Sequence, residues 1–524
     1  MKPETEQRAD LTRVGAPLVG RVVARRVTVD PFGVQRPVEA TARPSEGPRG
    51  SGNSCIGLAA SRRLRQGLDQ ESALVNQTFL DYYRCPESFA NFALTDNPGK
   101  IQGFFRFGGD VVCYGSRSAR AHAAEGHEQP YDALDDATID GGSVRLPFDP
   151  AEITENLRRE RYPRSSSHEK KERLGGEALS FAYRAVRPAL PVVLRRYLQR
   201  LYLRGWEKLV FPRWPVDLTV EGILERLFGL TLKAHAIDRI PFIWFWPDGA
   251  PACAIVTHDV ETLRGRNFCS RLMDLDDSAG IKSSFQIVPE QRYSVPTSLL
   301  DGFRRRGFEI NVHDVNHDGR LFASRERFLR RAKAINRYGK EWAAIGFRSG
   351  GLYRNPEWLD DLEFAYDMSI PNVAHLDPQR GGCCTVVPFF IGRILELPLT
   401  TTQDYSLFHI LNEYSIDLWK RQIALITERH GLVSLLIHPD YVAERRAGDT
   451  YRALLDHLAQ LRADGLLWLA LPREVNQWWR ERSLMKVVRD GDSWHIEGRG
   501  KERARLAFGT LRGEKVVLTV EGRD

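Results

Sequence analysis

Two histidines spaced four residues apart, in His313-Asp314-Val315-Asn316-His317, can turn their imidazoles toward one point and close on a metal ion. The run before them, Phe308 to Val312, alternates apolar and polar residues like a half-buried strand, so the pair opens the turn or helix that follows it. That context differs from a zincin protease, where both histidines lie inside one helix with a glutamate beside the first; here the neighbour is the shorter Asp314. A third ligand is needed, and a second apolar run provides candidates. Ala252 to Thr257 leads into His258-Asp259-Val260-Glu261. Asp259 and Glu261 share parity on a strand and can face one pocket, so one can ligate while the other acts as a base. Two imidazoles and a carboxylate make a metal set that leaves a position for water.

Further polar groups follow other apolar runs. Arg348 lies in Phe347-Arg348-Ser349-Gly350-Gly351, and His438 ends Leu435-Leu436-Ile437-His438. Bringing them together requires an architecture in which strand ends share an edge. The pattern from about 217 to 479 provides one: candidate strands at Ala252 to Thr257, Ser283 to Val288, Phe308 to Val312, Ala343 to Phe347, Ile394 to Leu397, Val433 to Ile437 and Leu466 to Leu469. Stretches such as Arg325 to Tyr338 and Ile416 to Arg429 are long enough for crossover helices. Repeated alternation of this kind predicts a parallel α/β sheet, open or closed into a barrel, whose strand-end residues gather on one side.

In chain order, the constellation resembles the NodB-type polysaccharide deacetylases, carbohydrate esterase family four. The matching positions are Asp259 with Glu261, His313 with His317, Arg348, and His438 within its Leu-Leu-Ile-His run. The resemblance implies an α/β fold with a deformed (β/α) barrel of the NodB type over residues 217–484. It also implies a divalent metal ion held by Glu261, His313 and His317, zinc first, then cobalt, nickel or manganese. Asp259 would be the general base, Arg348 would hold that base ionised and oriented, and His438 would be the general acid. The chain departs from the family in two places. Gly350 and Gly351 stand where a proline and an aromatic residue are usual, and Glu261 replaces an aspartate. If Glu261 fails to reach, Asp259 must ligate and the base is lost.

Around this core, residues 1–65 read as a disordered tail, 66–150 as a small β-containing module, 151–216 as a basic helical linker and 485–524 as a small C-terminal β unit. The 524 residues carry 75 basic and 68 acidic side chains, but Glu155 to Trp214 alone holds fifteen basic and six acidic ones. No nucleic-acid partner is therefore expected of the whole chain. In the stretch 181–211 Leu194, Leu198, Leu201 and Tyr202 share a helix side flanked by arginines, which reads first as a helix docked on its own protein with solvated arginines and, as the alternative, as peripheral contact with an anionic membrane face. Seven scattered cysteines, no apolar leader and no spanning-length apolar run place the protein in the cytoplasm, at most peripheral to the inner membrane. The substrate expected is a carbohydrate or other N-acylated small molecule. Two alternatives are a hydrolase of a cyclic imide or small amide, and an idle scaffold of polysaccharide assembly. Among neighbours of the motifs, His258 reads as a core histidine, Asp440 as either a partner of His438 or a helix cap, and the thiols of Cys383 and Cys384 as packing groups. Glu396 reads as either a buried partner or a solvent-facing edge residue.

Overall fold

Thr262 accepts a hydrogen bond from Gly265 N, and Ser324 accepts one from Arg327 N, so each sits as a side-chain cap at the start of a helix that follows a strand. These caps punctuate a repeating strand–helix chain. The computed structural model describes residues 74–95, 101–118, 131–163 and 192–522; the tail expected over 1–65 and the part of the basic segment from 164 to 191 lie outside them. The strands of the central sheet are β1 (Ala252–Val260), β2 (Ser284–Ile287), β3 (Glu309–His313), β4 (Gly346–Arg348) and β5 (Tyr366–Asp367), followed by β6 (Phe389–Ile391), β7 (Ile394–Glu396), β8 (Leu432–Ile437) and β9 (Leu467–Leu469). The helices that lie among and around them are α1 (Thr219–His235), α2 (Leu263–Ser278), α3 (Thr297–Arg305), α4 (Arg325–Glu341), α5 (Asp417–Thr427), α6 (Arg445–Ala463) and α7 (Pro472–Leu484).

The sheet order is β6-β7-β5-β4-β3-β2-β1-β8, with β9 also on β1, and all pairings except β6 with β7 are parallel. Every residue of β1, β2, β3, β4 and β8 is buried, as expected of strands covered on both faces. Helix α4 shows how the cover is made: Phe328, Ala332, Ile335 and Gly339 form its buried stripe, while the intervening arginines and lysines stay outside.

The sheet is curled. In a flat sheet β1 and β4 would stand about 14 Å apart, yet Arg348 Nη1 at the end of β4 lies 2.8 Å from both Thr257 Oγ1 and Asp259 Oδ1 of β1. The far edge approaches β8 through side chains: Thr400 Oγ1 donates to Leu432 O and accepts from Ser434 N, and Thr401 Oγ1 donates to Ser434 O. The result is a deformed, incompletely laddered barrel of α/β class.

The described residues form one compact unit. Strand Leu506–Arg512 pairs with both Lys515–Val520 and Arg239–Ile243, which places C-terminal backbone against a segment that precedes β1. The buried Arg482 of α7 donates to the carbonyls of Tyr82, Ile243 and Trp244, linking helix Gln77–Tyr83 to the same region. At the other end of the N-terminal region, Arg354, in the segment after β4, makes a buried ion pair with Glu160. Among the described residues no helix is long and apolar enough to cross a membrane.

Candidate active site and metal centre

Each side chain singled out by the sequence stands at or just beyond a strand end. Asp259 is the penultimate residue of β1 and Glu261 follows that strand; His313 and Arg348 are the last residues of β3 and β4, and His438 follows β8. His317 sits four residues past His313 with a left-handed φ of 54°. The curl brings all six into one cluster. Glu261 Oε1 lies 2.8 Å from His317 Nε2, 3.7 Å from His313 Nε2 and 3.3 Å from His438 Nε2. Asp259 presents Oδ1 to Arg348 and Oδ2 to His313 Nε2 at 3.5 Å.

The two imidazoles are arranged as metal ligands are. His313 Nδ1 lies 3.1 Å from the Arg348 carbonyl, which can only accept, so Nδ1 carries a proton and Nε2 is the nitrogen turned toward the carboxylates of Asp259 and Glu261, which outweigh burial and raise the ring's pKa. His313 Nε2 and His317 Nε2 are both buried without a hydrogen-bond partner, and both lie close to the Glu261 carboxylate. Ligand atoms of Glu261, His313 and His317 lie within 4.8 Å of one another, and so do those of Asp259, Glu261 and His438. The donor chemistry separates the two sets. Arg348 occupies one oxygen of Asp259. His438 is cationic: burial favours its neutral form, but Asp404 and Glu261 outweigh burial and hold its pKa well above the usual imidazole range. Asp259 is held by Arg348 and His438 by Asp404, whereas the Nε2 atoms of His313 and His317 have no hydrogen-bond partner, so the first set is the one that fits.

Asp404 is the site residue that sequence reasoning missed. Its Oδ1 lies 2.6 Å from His438 Nδ1, and its Oδ2 accepts from the His438 backbone N–H at 2.7 Å. It opens the short helical segment that runs on through Ser406–Leu411 after β7, eight residues beyond Glu396. The available signal was Thr400-Thr401-Thr402-Gln403-Asp404, a polar run following a strand. Asp440 does not share this role. It stands in the first turn of the short helix Pro439–Val442, and no side chain hydrogen-bonds its buried Oδ1.

Arg348 is itself enclosed. Its Nε donates to Met368 O, and its Nη1 spans Thr257 and Asp259. Burial alone would raise the Asp259 pKa, but Arg348, His313 and His438 more than compensate and keep it below its ordinary value, so the carboxylate is ionised. Glu396 is fully buried and in register with Asp367 on the adjacent strand; burial and the Asp367 carboxylate raise its pKa well above the usual range. His258 is a core group, with Nε2 3.0 Å from Asp276 Oδ2 on α2. Cys383 and Cys384 are fully buried, and burial pushes both thiols well up, which suits packing.

Gly350 has a local cause. A Cβ on Gly350 would lie 2.9 Å from Asp314 Oδ2 and 3.0 Å from the His317 ring. Glycine therefore leaves room for the second histidine of the pair.

No family model matches the chain, and no curated protein matches it. Solved structures similar to it include a polysaccharide deacetylase, described as putative, from Mycobacterium smegmatis, with 17% identity and a TM-score of 0.38 over 47% of this chain and 96% of that one. Another is Puue allantoinase, with 11% identity and a TM-score of 0.37 over 45% and 92% of the two chains. A third is the peptidoglycan deacetylase PdaC from Bacillus subtilis, with 12% identity and a TM-score of 0.28 over 44% and 93%.

Proposed function

We propose that this protein is a metal-dependent hydrolase of non-peptide amide bonds that removes an acyl group, acetyl first, from the nitrogen of an amino sugar in a glycan or glycan precursor. The observation that carries the chemistry is the pair of imidazole Nε2 atoms facing Glu261, flanked by an arginine-held carboxylate and an aspartate-held imidazole. The amino-sugar assignment rests on the resemblance of the motif order to the NodB-type polysaccharide deacetylases.

Glu261, His313 and His317 would hold the ion, with zinc first by donor type and cobalt, nickel or manganese as substitutes. When bound, such an ion lowers the pKa of water and polarises a carbonyl. Asp259 Oδ2, the oxygen not held by Arg348, accepts the proton from the attacking water. Arg348 keeps that carboxylate ionised and fixed in direction. His438 Nε2 delivers its proton to the departing nitrogen, and Asp404 holds the ring and balances its charge. The chain thus has one group that takes a proton and one that gives it, on different strand ends.

Release of acetate from N-acetylated amino-sugar oligomers by the full-length, zinc-loaded protein tests this reading. Asp259→Asn and His438→Ala are each expected to lower kcat by about 10² to 10⁴. Turnover of cyclic imides with none of the sugars would replace the substrate assignment. Failure of the loaded protein to hydrolyse either class would leave a scaffold role.

A further inference from the structure

Helix Val192–Leu203 has a docked side and an exposed apolar side. Leu203 is 5% exposed, whereas Leu194, Tyr197 and Leu201, spaced three and four residues apart on roughly the opposite side, are 42%, 63% and 53% exposed. The chain just beyond adds Val210 at 87%. A helix with apolar groups on both sides has a second surface to satisfy. The charges beside this one have a single dominant sign. Residues 192–208 include five basic side chains and one acidic one, and Arg200, Arg204 and Lys208 are all exposed.

The helix is joined to the catalytic cluster. Arg200 Nε donates to the His409 carbonyl at 2.8 Å, and Tyr405 OH donates to the Gln199 side chain. The His409 ring packs 4.8 Å from Tyr441, and Tyr441 packs 4.8 Å from His438. Two residues, His409 and Tyr441, therefore connect the exposed helix to the proton donor.

We infer that helix Val192–Leu203 and the turn after it form a docking surface for an anionic lipid bilayer, with Tyr197, Leu201 and Val210 entering the interface and Arg204 and Lys208 meeting the headgroups. The apolar face and its basic border match an anionic interface in both components. No described helix can span a bilayer, so the contact is with the surface. Docking in this orientation holds the His438 side of the site beside the membrane, where an acylated amino sugar carried on a lipid would be presented. The surface itself does not depend on the proposed reaction, because binding is read without turnover.

The test is flotation of the full-length protein with vesicles of phosphatidylcholine alone and with an equimolar mixture of phosphatidylcholine and phosphatidylglycerol. The wild type is expected to float with the mixed vesicles and stay behind with the neutral ones. The double variant Tyr197→Glu with Leu201→Glu should lose at least about ten-fold in affinity. In Arg204→Ser with Lys208→Ser each substitution should cost roughly five-fold at moderate salt. Metal content and near-ultraviolet circular dichroism matching wild type would show that both variants are folded. Wild-type protein that floats with neither vesicle, or variants that float as well as wild type, would overturn the inference. So would a concentration-dependent dimer in light scattering that Leu201→Glu abolishes, since a second copy would then be what covers the face.

Discussion

Asp404 decides how His438 can act. An imidazole buried as completely as His438 should be neutral, and it is cationic only because a carboxylate lies 2.6 Å from Nδ1 and another faces Nε2. With a cation on Glu261 the second charge is balanced, which leaves Asp404 as the group that keeps the proton in place. A histidine whose pKa is raised holds its proton below that value and gives it up as the pH rises through it, so activity that needs the acid form fails on the alkaline side. Asp404→Asn is therefore expected to move the alkaline limb of the kcat/KM profile toward lower pH and to lower kcat at neutral pH by about ten-fold or more. An unchanged limb would remove Asp404 from this role. The other site residues were legible because each lies in the last two residues of its strand or within four residues after it. Asp404 lies eight residues past β7, and the nearer Asp440 drew attention by adjacency alone. Distance along the chain says little about distance in a curled sheet.

Among the elements, the turn after β4 ties local backbone to the metal ligands. Gly350 occupies space that any Cβ would contest with Asp314 and His317. Gly350→Ala is expected to keep the fold and to weaken metal binding by about 10- to 100-fold, the usual effect of disturbing what supports a ligand. A competition assay with a chromogenic chelator reads this directly, and unchanged affinity would show that the turn yields freely. The long parallel strands were readable from their apolar runs, and β1 proved longer than its apolar part, carrying Asp259 within it. The expected strand Ala343 to Phe347 lies instead at Gly346–Arg348, so Arg348 ends β4 rather than following it. The two-residue β5 is too short for any pattern. Arg239–Ile243 contains Pro241, which reads as a break, but this strand is an edge of its three-stranded sheet, where a missing N–H is tolerated.

The whole molecule is more interleaved than its composition indicates. Phe228, Phe242, Met485, Ala507 and Phe508 belong to one buried cluster that also takes in Phe79 and Tyr83 near the N-terminal end of the described chain. Tertiary pairing of this range has no signature in local hydrophobic period, which is why the C-terminal strands read as an appendage. A chain ending at Leu484 loses the partner of strand Arg239–Ile243 together with part of that cluster. It should be recovered as insoluble protein or melt roughly 10 °C or more below the intact chain. Soluble truncated protein with an unchanged melting temperature would show instead that the barrel stands alone.

Elemental analysis of the intact, purified protein beside His313→Ala and Asp404→Asn tests the metal centre most directly. About one equivalent of a divalent transition metal in the wild type and in Asp404→Asn, with near-complete loss in His313→Ala, is the expected result. Wild-type protein that takes up no zinc, cobalt, nickel or manganese on incubation would contradict the metal centre and, with it, the hydrolase.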